Sequence, residues 1–207
     1  PPALGTFLGQ VGGRQELAVL TEEIDRVANI VGHMTQTLKG ASTGRDIDLV
    51  GVLNDFLMLY ADTLFKARGI RVDTQFPAAG VAIRINRDNL KQIVLNLWKN
   101  ASEALSGGKT VKIAVSDNII HDGANYVQLR IDDNGPGMTE EAIQALYRPK
   151  ATPEGARRGL GLSIVGGLAR QEGILITCRS QLGVGTSIAL LIPRHDGNGA
   201  AAGGNAS

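Results

Sequence analysis

Three features are scarce in this 207-residue sequence: cysteine, net charge and long apolar runs. The single cysteine, Cys178, excludes an internal disulfide and a zinc site built from several cysteines, and it is typical of a reducing compartment. A formal net charge of +1 predicts no basic surface for nucleic acid or for anionic lipid. No apolar run approaches the ~18 residues of a membrane-spanning helix. We therefore expect a cytoplasmic protein, or the cytoplasmic part of a longer membrane-bound protein, with no nucleic-acid partner and no membrane contact from this sequence.

A heptad pattern marks the N-terminal part of the chain. Apolar residues recur at alternating spacings of three and four, namely Leu17, Leu20, Ile24, Val27, Val31, Met34 and Leu38. This spacing is typical of helices that pack at a shallow angle in a bundle or coiled coil. We predict a long helix that joins two chains in a homodimer, the alternative being a helix that lies on its own domain.

Turn-forming residues divide the rest of the chain. The segment GASTG at 40–44 predicts a domain boundary, so that 41–194 form one domain and the low-complexity residues 195–207 form a tail. Periodicity predicts helices at 50–67, 90–105 and 160–170, and strands at 46–49, 70–76, 81–85, 110–116, 126–132, 174–179 and 185–192. The last four strands are predicted to pair as two hairpins. The fold class is therefore α+β.

The helix predicted at 90–105 is amphipathic and carries two asparagines beside its apolar stripe. Asn96 and Asn100 are one turn apart and share a face. An amide oxygen is a hard ligand that suits Mg²⁺. Solvated polar residues would give the same pattern, so this helix alone leaves both interpretations open.

Glycine-rich loops follow the predicted strands. Asp133 ends an alternating strand and precedes Gly135 and Gly137, where glycine lets a ligand approach the backbone closely. A carboxylate fixed there is suited to accept a hydrogen bond from an exocyclic amine such as that of adenine. Thr186 follows two further glycines at the mouth of the last hairpin. A plain turn explains each of these loops equally well.

A third glycine loop leads into the helix predicted at 160–170. Gly159 and Gly161 stand at its start, where free N–H groups and the helix dipole favour phosphate. Arg157 and Arg158 add positive charge beside it. The spacing matches neither the P-loop nor the dinucleotide-binding pattern.

Taken in order, the segments at 96–100, 133–137, 159–162 and 183–186 resemble the N, G1, G2 and last glycine boxes of sensor histidine kinases. The resemblance covers about residues 45–193. It implies a two-layer α/β sandwich of the Bergerat ATP-binding type, shared with type II topoisomerases and heat-shock chaperone ATPases, with ATP under a lid. The helix at 17–38 is similar to the second helix of the family's dimerisation domain. Residues 1–40 would then be part of a dimerisation and phosphoacceptor region.

The resemblance also implies a role for each matching residue. Asn100 would ligate Mg²⁺ between the phosphates, with Asn96 on the same face. Asp133 would bind the adenine amino group, and Thr186 would support it through water. Gly135 and Gly137 would shape the adenine pocket, while Lys99, Arg158, Gly159, Leu160, Gly161 and Leu162 would lie at the phosphates. Residues 139–158 would form the lid.

Two departures from the family pattern bear on function. The segment before the second glycine box, residues 146–150, contains no phenylalanine, and Tyr147 is its only aromatic residue. No phosphoacceptor histidine is seen: His33 is followed by Met34, His121 lies in a predicted hairpin loop, and His195 lies in the tail. We interpret all three as surface histidines, so no catalytic residue is assigned. Residues 3–10 look like the stretch that follows the acceptor site in the family.

The resemblance implies the ATP-binding catalytic core of a two-component sensor histidine kinase, with ATP and Mg²⁺ as cofactors. Its partners would be a second copy of the chain and the receiver domain of a response regulator. We expect this sequence to bind ATP·Mg²⁺ without phosphorylating itself. Two alternatives are a degenerate nucleotide-binding regulatory or dimerisation module and an ATPase of the same superfamily. Asn96 argues against the ATPase, because those relatives carry a glutamate at the corresponding position to activate water.

Overall fold

The computed structural model describes residues 45–147 and 160–194. Several features predicted above lie outside the described residues: the heptad at 17–38, the boundary at 40–44, the lid residues 148–158, the tail, His33, His195, Arg158 and Gly159. The division into domains and the dimerisation helix therefore stay predictions.

The described residues form a mixed sheet, a small two-stranded sheet and four α-helices. The strands are β1 (Arg45–Asp48), β2 (Arg71–Gln75), β3 (Ala82–Ile85), β4 (Thr110–His121), β5 (Ala124–Asp133), β6 (Leu175–Gln181) and β7 (Gly185–Pro193). The helices are α1 (Leu49–Leu64), α2 (Arg87–Ala104), α3 (Glu140–Tyr147) and α4 (Leu160–Gln171). Most predicted elements are confirmed within a few residues, but α3 was not predicted.

The larger sheet has the order β2-β4-β5-β7-β6. Its strands are antiparallel except that β2 runs parallel to β4, with Arg71 opposite Thr110. Strand β3 pairs instead with β1 in a separate antiparallel sheet. The strands on either side of the Pro-Ala-Ala-Gly segment thus belong to different sheets. The two predicted hairpins, β4–β5 and β6–β7, are confirmed.

All four helices contribute to one core on a single face of the sheet. Trp98 of α2 is fully buried, and Phe56 and Phe65 meet it edge-on with ring centroids 6.2 and 6.0 Å away. Apolar residues at alternate positions of the strands face this core, whereas Lys112 and Arg130 alternate with them on the opposite face. The predicted two-layer α+β architecture is confirmed.

Helix α2, which carries the paired asparagines, is fixed at its start by a side-chain cap. The Asn86 side chain accepts hydrogen bonds from the backbone N–H groups of Asp88 and Asn89, at 2.9 and 3.1 Å. The helix therefore begins three residues before the predicted position. Every helix within the described ranges is too short or too polar to cross a lipid bilayer.

Candidate functional site

A row of three register partners crosses the sheet at the end of β5. Asp133 on β5 is opposite Thr186 on β7, and Thr186 is opposite Ser180 on β6. Because directly paired residues of neighbouring strands point to the same face, their side chains lie side by side. Asp133 and Thr186 form the floor of a cleft beneath α2, and Ser180 continues the row beside it.

The Asp133 carboxylate is held by its own loop. Its Oδ1 accepts a hydrogen bond from the backbone N–H of Gly135 at 2.9 Å. Burial raises the pKa of the Asp133 carboxyl above its ordinary value, and backbone hydrogen bonds from Gly135 and Thr186 act in the opposite direction. The neighbouring charge of Asp132 adds a smaller upward effect on this pKa. The result is a fixed acceptor at the edge of the cleft.

The glycines of this region allow backbone segments to touch. A Cβ on Gly137, whose φ is +76°, would lie 2.3 Å from the Gln181 carbonyl oxygen. A Cβ on Gly185 would lie 2.0 Å from the Asp133 carbonyl oxygen. On Gly135 it would meet the Asp133 carboxylate itself at 2.8 Å. Close packing of the loops, rather than ligand approach alone, therefore explains glycine at these positions.

The other end of the cleft is built by α2 and the first turn of α4. A Cβ on Gly161 would lie 3.2 Å from Asn100 Oδ1 and 3.3 Å from Asn96 Oδ1, so α4 begins directly against both amides. The Asn96 amide nitrogen donates to the Gln92 carbonyl of its own helix at 2.8 Å. The Asn100 amide nitrogen is buried and finds no hydrogen-bond partner among the described residues. Such an unpaired donor is costly unless a ligand or water completes it.

One cavity joins the two ends and encloses about 430 Å³ of space, part of it open to solvent. Its lining consists of Leu97, Asn100, Ala101, Ala104, Ile131, Asp133, Gly137, Met138, Leu162, Thr186 and Ile188. The combination of an apolar wall with a few polar groups is typical of small-molecule sites.

The structure brings most of the predicted site residues together. Asn100, Asp133, Gly137, Leu162 and Thr186 line the cavity, whereas Lys99 is not part of its lining. Three other predicted residues lie next to those that line the cavity: Gly135 donates a hydrogen bond to Asp133, and Gly161 packs against Asn96 and Asn100. Leu160 begins α4, and Arg158 and Gly159 lie outside the described residues.

Sequence reasoning missed the apolar wall and Ser180. Leu97 lies three residues before Asn100 on α2 and Ala104 four residues after it, and Ala101 follows Leu97 by four residues, so helical spacing was enough to find them. Ile131 and Ile188 lie two residues from Asp133 and Thr186 on the same strand face. Ser180 carries no local signal and is visible only through strand register.

Helix α3 shows which residue anchors the start of the segment predicted to form the lid. Leu146 is 2% exposed. Its carbonyl oxygen packs so closely on Gly166 of α4 that a Cβ on Gly166 would lie 2.1 Å from it. Tyr147 is 43% exposed, and its hydroxyl accepts a hydrogen bond from the Cys178 N–H at 3.0 Å. Leu146 thus supplies the apolar packing, and Tyr147 ties α3 to the edge strand β6.

These features match a known family. The model of the histidine kinase-, DNA gyrase B-, and HSP90-like ATPases matches residues 85–196, just over half of the chain. The chain belongs to this family.

The similar proteins are sensor kinases. Sensor histidine kinase ZraS of Klebsiella oxytoca is 29% identical over 184 residues, which cover 88% of this chain and 39% of that protein. Adaptive-response sensory kinase SasA of Prochlorococcus marinus is 26% identical over 200 residues, covering 90% of this chain and 51% of that protein. The chain thus spans about two fifths to one half of these relatives.

Two solved structures share the fold. The catalytic domain of histidine kinase ThkA superposes with a TM-score of 0.62 at 22% identity, covering 74% of this chain and 99% of that domain. Full-length ShkA, solved in complex with AMPPNP, gives a TM-score of 0.64 at 24% identity, covering 87% of this chain and 38% of ShkA. The predicted Bergerat-type ATP-binding fold is confirmed.

Proposed function

We propose that this chain is the ATP-binding catalytic core of a two-component sensor histidine kinase. The observation that carries the proposal is that the two ends of the cavity described above carry different polar groups. A fixed carboxylate acceptor stands at one end, and at the other, beside a helix N-terminus, stands a buried amide nitrogen that has no partner among the described residues. This arrangement suits a molecule with an exocyclic amine at one end and phosphates at the other.

At the base end, Asp133 accepts a hydrogen bond from the amino group of adenine while Thr186 supports the same edge. The apolar wall of Leu97, Ala101 and Ile188 excludes water from the faces of the base. A hydrogen bond to an ionised group is worth about 1.5–3 kcal/mol, so Asp133 is the main source of base selection.

At the phosphate end, the chain's donors fit Mg²⁺-bound phosphates. The Oδ1 atoms of Asn100 and Asn96 both face the first turn of α4, and amide oxygens are ligands that Mg²⁺ accepts. Among the described residues no group of three or more His, Cys, Asp or Glu side chains is placed to hold a metal. That is the pattern expected where phosphates and water supply most ligands. A bound Mg²⁺ neutralises charge that develops on the phosphates during transfer.

In phosphoryl transfer, the role of this chain is to position the γ-phosphate for in-line attack by a histidine of the dimerisation region. Asn100 orients the phosphates, and the N-terminal N–H groups of α4 stabilise their negative charge. Homodimerisation through residues 17–38 and transfer to a response-regulator receiver domain belong to the same proposal. The cavity retains both of its polar ends, which gives no support to a degenerate module.

The test combines binding with labelling. Calorimetric titration of the chain should show ATP binding that Mg²⁺ strengthens, and incubation with γ-labelled ATP should leave the chain itself unlabelled. Adding a second protein that carries a histidine kinase dimerisation domain with its acceptor histidine should produce acid-labile, base-stable label on that protein. Release of inorganic phosphate without such label would favour the ATPase, and absence of ATP binding would overturn the proposal.

A further inference from the structure

Ser180 is the third member of the row formed with Asp133 and Thr186, and it does not line the cavity. Its hydroxyl makes three contacts. The Met138 N–H donates to Ser180 Oγ at 2.8 Å, Ser180 donates to the Gly185 carbonyl at 3.1 Å, and Ser180 Oγ lies 2.9 Å from Thr186 Oγ1.

The contacts of Ser180 fix the direction of its bond to Thr186. A serine hydroxyl has one proton to donate and two lone pairs to accept with. A carbonyl oxygen only accepts, so the bond to Gly185 uses the single Ser180 proton. The contact between the two hydroxyls is therefore satisfied only when Thr186 donates.

The direction of this bond decides what Thr186 offers to a ligand. Thr186 is 9% exposed and lines the cavity, and since the Ser180 proton is used by the Gly185 carbonyl, we infer that the Thr186 proton is directed to Ser180. The Thr186 hydroxyl then has only lone pairs to offer a ligand in the cavity, beside the Asp133 carboxylate, which also only accepts. The floor of the base end carries two acceptors and no hydroxyl donor.

We propose that Ser180 is a specificity-determining positioning residue, which selects 6-amino over 6-oxo purines by holding the Thr186 proton away from the base. The inference rests on the proposed nucleotide binding and adds a residue to it. An adenine amino group donates to such a floor. The oxygen at the same position of hypoxanthine or guanine would face two acceptors, which is unfavourable.

Ser180→Ala removes the acceptor for the Thr186 proton. The threonine hydroxyl is then free to turn that proton into the cavity and pair with a 6-oxo group. We expect the preference for ATP over inosine triphosphate to narrow by about three- to tenfold, the value of one neutral hydrogen bond. Inosine triphosphate is the chosen competitor because it lacks the 2-amino group of guanine. The measurement is displacement of a fluorescent ATP analogue by each nucleotide.

Five further variants separate a change in base selection from general damage to the fold. Ser180→Val, which also lacks an acceptor, carries the same prediction should Ser180→Ala not fold, and Ser180→Thr, which keeps a hydroxyl, should lie closer to the parent ratio. The double variant Thr186→Val/Ser180→Ala should have the same ratio of ATP to inosine triphosphate affinity as Thr186→Val alone. Ser187→Ala is the matched control: this serine of β7 donates to Asp132 at 2.6 Å on the opposite face of the sheet, and its loss should leave the ratio unchanged.

The ratio distinguishes the outcomes. A loop that merely loosens weakens both nucleotides together, so equal losses in Ser180→Ala would overturn the inference. A further narrowing in the Thr186→Val background would also overturn it, because Ser180 would then act by another route. Should the parent bind neither nucleotide, the proposed function itself is wrong. Should the parent bind ATP and Ser180→Ala keep its ratio, only this inference is wrong.

Discussion

The two ends of the cavity are built differently. At the base end, strand register sets Asp133, Thr186 and Ser180 side by side, and each side chain already has a hydrogen-bond partner. At the phosphate end, two helices meet, and the Asn100 amide nitrogen is buried without a partner in the described part of the chain. The comparison indicates a base end that is preorganised and a phosphate end that a ligand completes.

The largest expected effect comes from breaking the base end at Gly185. Its φ is +143°, and a Cβ would lie 2.0 Å from the Asp133 carbonyl oxygen, so Gly185→Ala should lower the free energy of unfolding by about 3–4 kcal/mol. Gly183→Ala is the control. Gly183 has a φ of +79°, but a Cβ there would meet no atom within 4 Å, so backbone strain alone should lower the free energy of unfolding by about 1–2 kcal/mol. Urea unfolding measures both. Equal losses would show that the close backbone contact does not stabilise this end.

The next effect tests base selection. Asp133→Asn keeps the shape of the side chain but makes it a neutral amide that can turn either end to the base. It should weaken ATP binding and narrow the ATP-over-GTP ratio by about one to two decades. Asp132→Asn is the matched control, since Asp132 lies on the opposite face with Arg130 and Ser187. The measurement is displacement of a fluorescent nucleotide from the protein by ATP and by GTP. An unchanged ratio of ATP to GTP affinity in Asp133→Asn would show that the base binds elsewhere.

The phosphate end should respond in the opposite manner to the base end. Asn100→Ala removes a buried donor that lacks a partner in the described structure, so it should weaken Mg²⁺-dependent ATP binding about tenfold with little change in unfolding free energy. Asn54→Ala, at an exposed position on α1, controls for loss of an amide from a helix. Calorimetry with and without Mg²⁺ is the measurement. Equal ATP affinity of Asn100→Ala and parent in Mg²⁺ would remove Asn100 from the site.

The smallest effect concerns pH. Burial raises the pKa of Asp133, so the folded protein holds this proton more tightly than the unfolded chain does. As pH falls through the folded-state value, the contribution of Asp133 to stability should therefore increase, while ATP loses its ionised acceptor and binds more weakly. Titration of the ATP phosphates affects the parent and Asp133→Asn alike, so the ratio of their ATP affinities reports Asp133 alone. This relative affinity should decline on acidification, and a flat profile would contradict the assigned role.

The elements that sequence predicted well are those with local signals. Helix α2 has an unbroken apolar period, and the glycines of its partner loops punctuate the chain clearly. What sequence could not give was the pairing of strands outside the two hairpins. Alternation in β2 and β3 says nothing about their partners, and β2 finds its neighbour about forty residues away, at Thr110.

Two further misses have the same physical origin. Strand β4 continues to His121 because the register shifts after Ser116, and Arg194 closes the irregularity by contacting Asp117 and Asn118. Locally, Asp-Asn is a turn signal. Ser180 was missed because its importance lies in what stands opposite it, on β7.

One titration tests the account most directly, because it separates the two ends. Backbone and side-chain amide resonances of the labelled chain are followed while adenosine, and in a second sample inorganic triphosphate with Mg²⁺, is added. Adenosine should shift the amides of Gly135, Gly137 and Thr186, whereas triphosphate should shift those of Gly161 and Leu162 and the side-chain amide of Asn100. ATP·Mg²⁺ should shift both sets and leave Lys112 and Ser187, on the opposite face of the sheet, unchanged. Shifts from ATP·Mg²⁺ that cluster away from this cavity would contradict the assignment of the site.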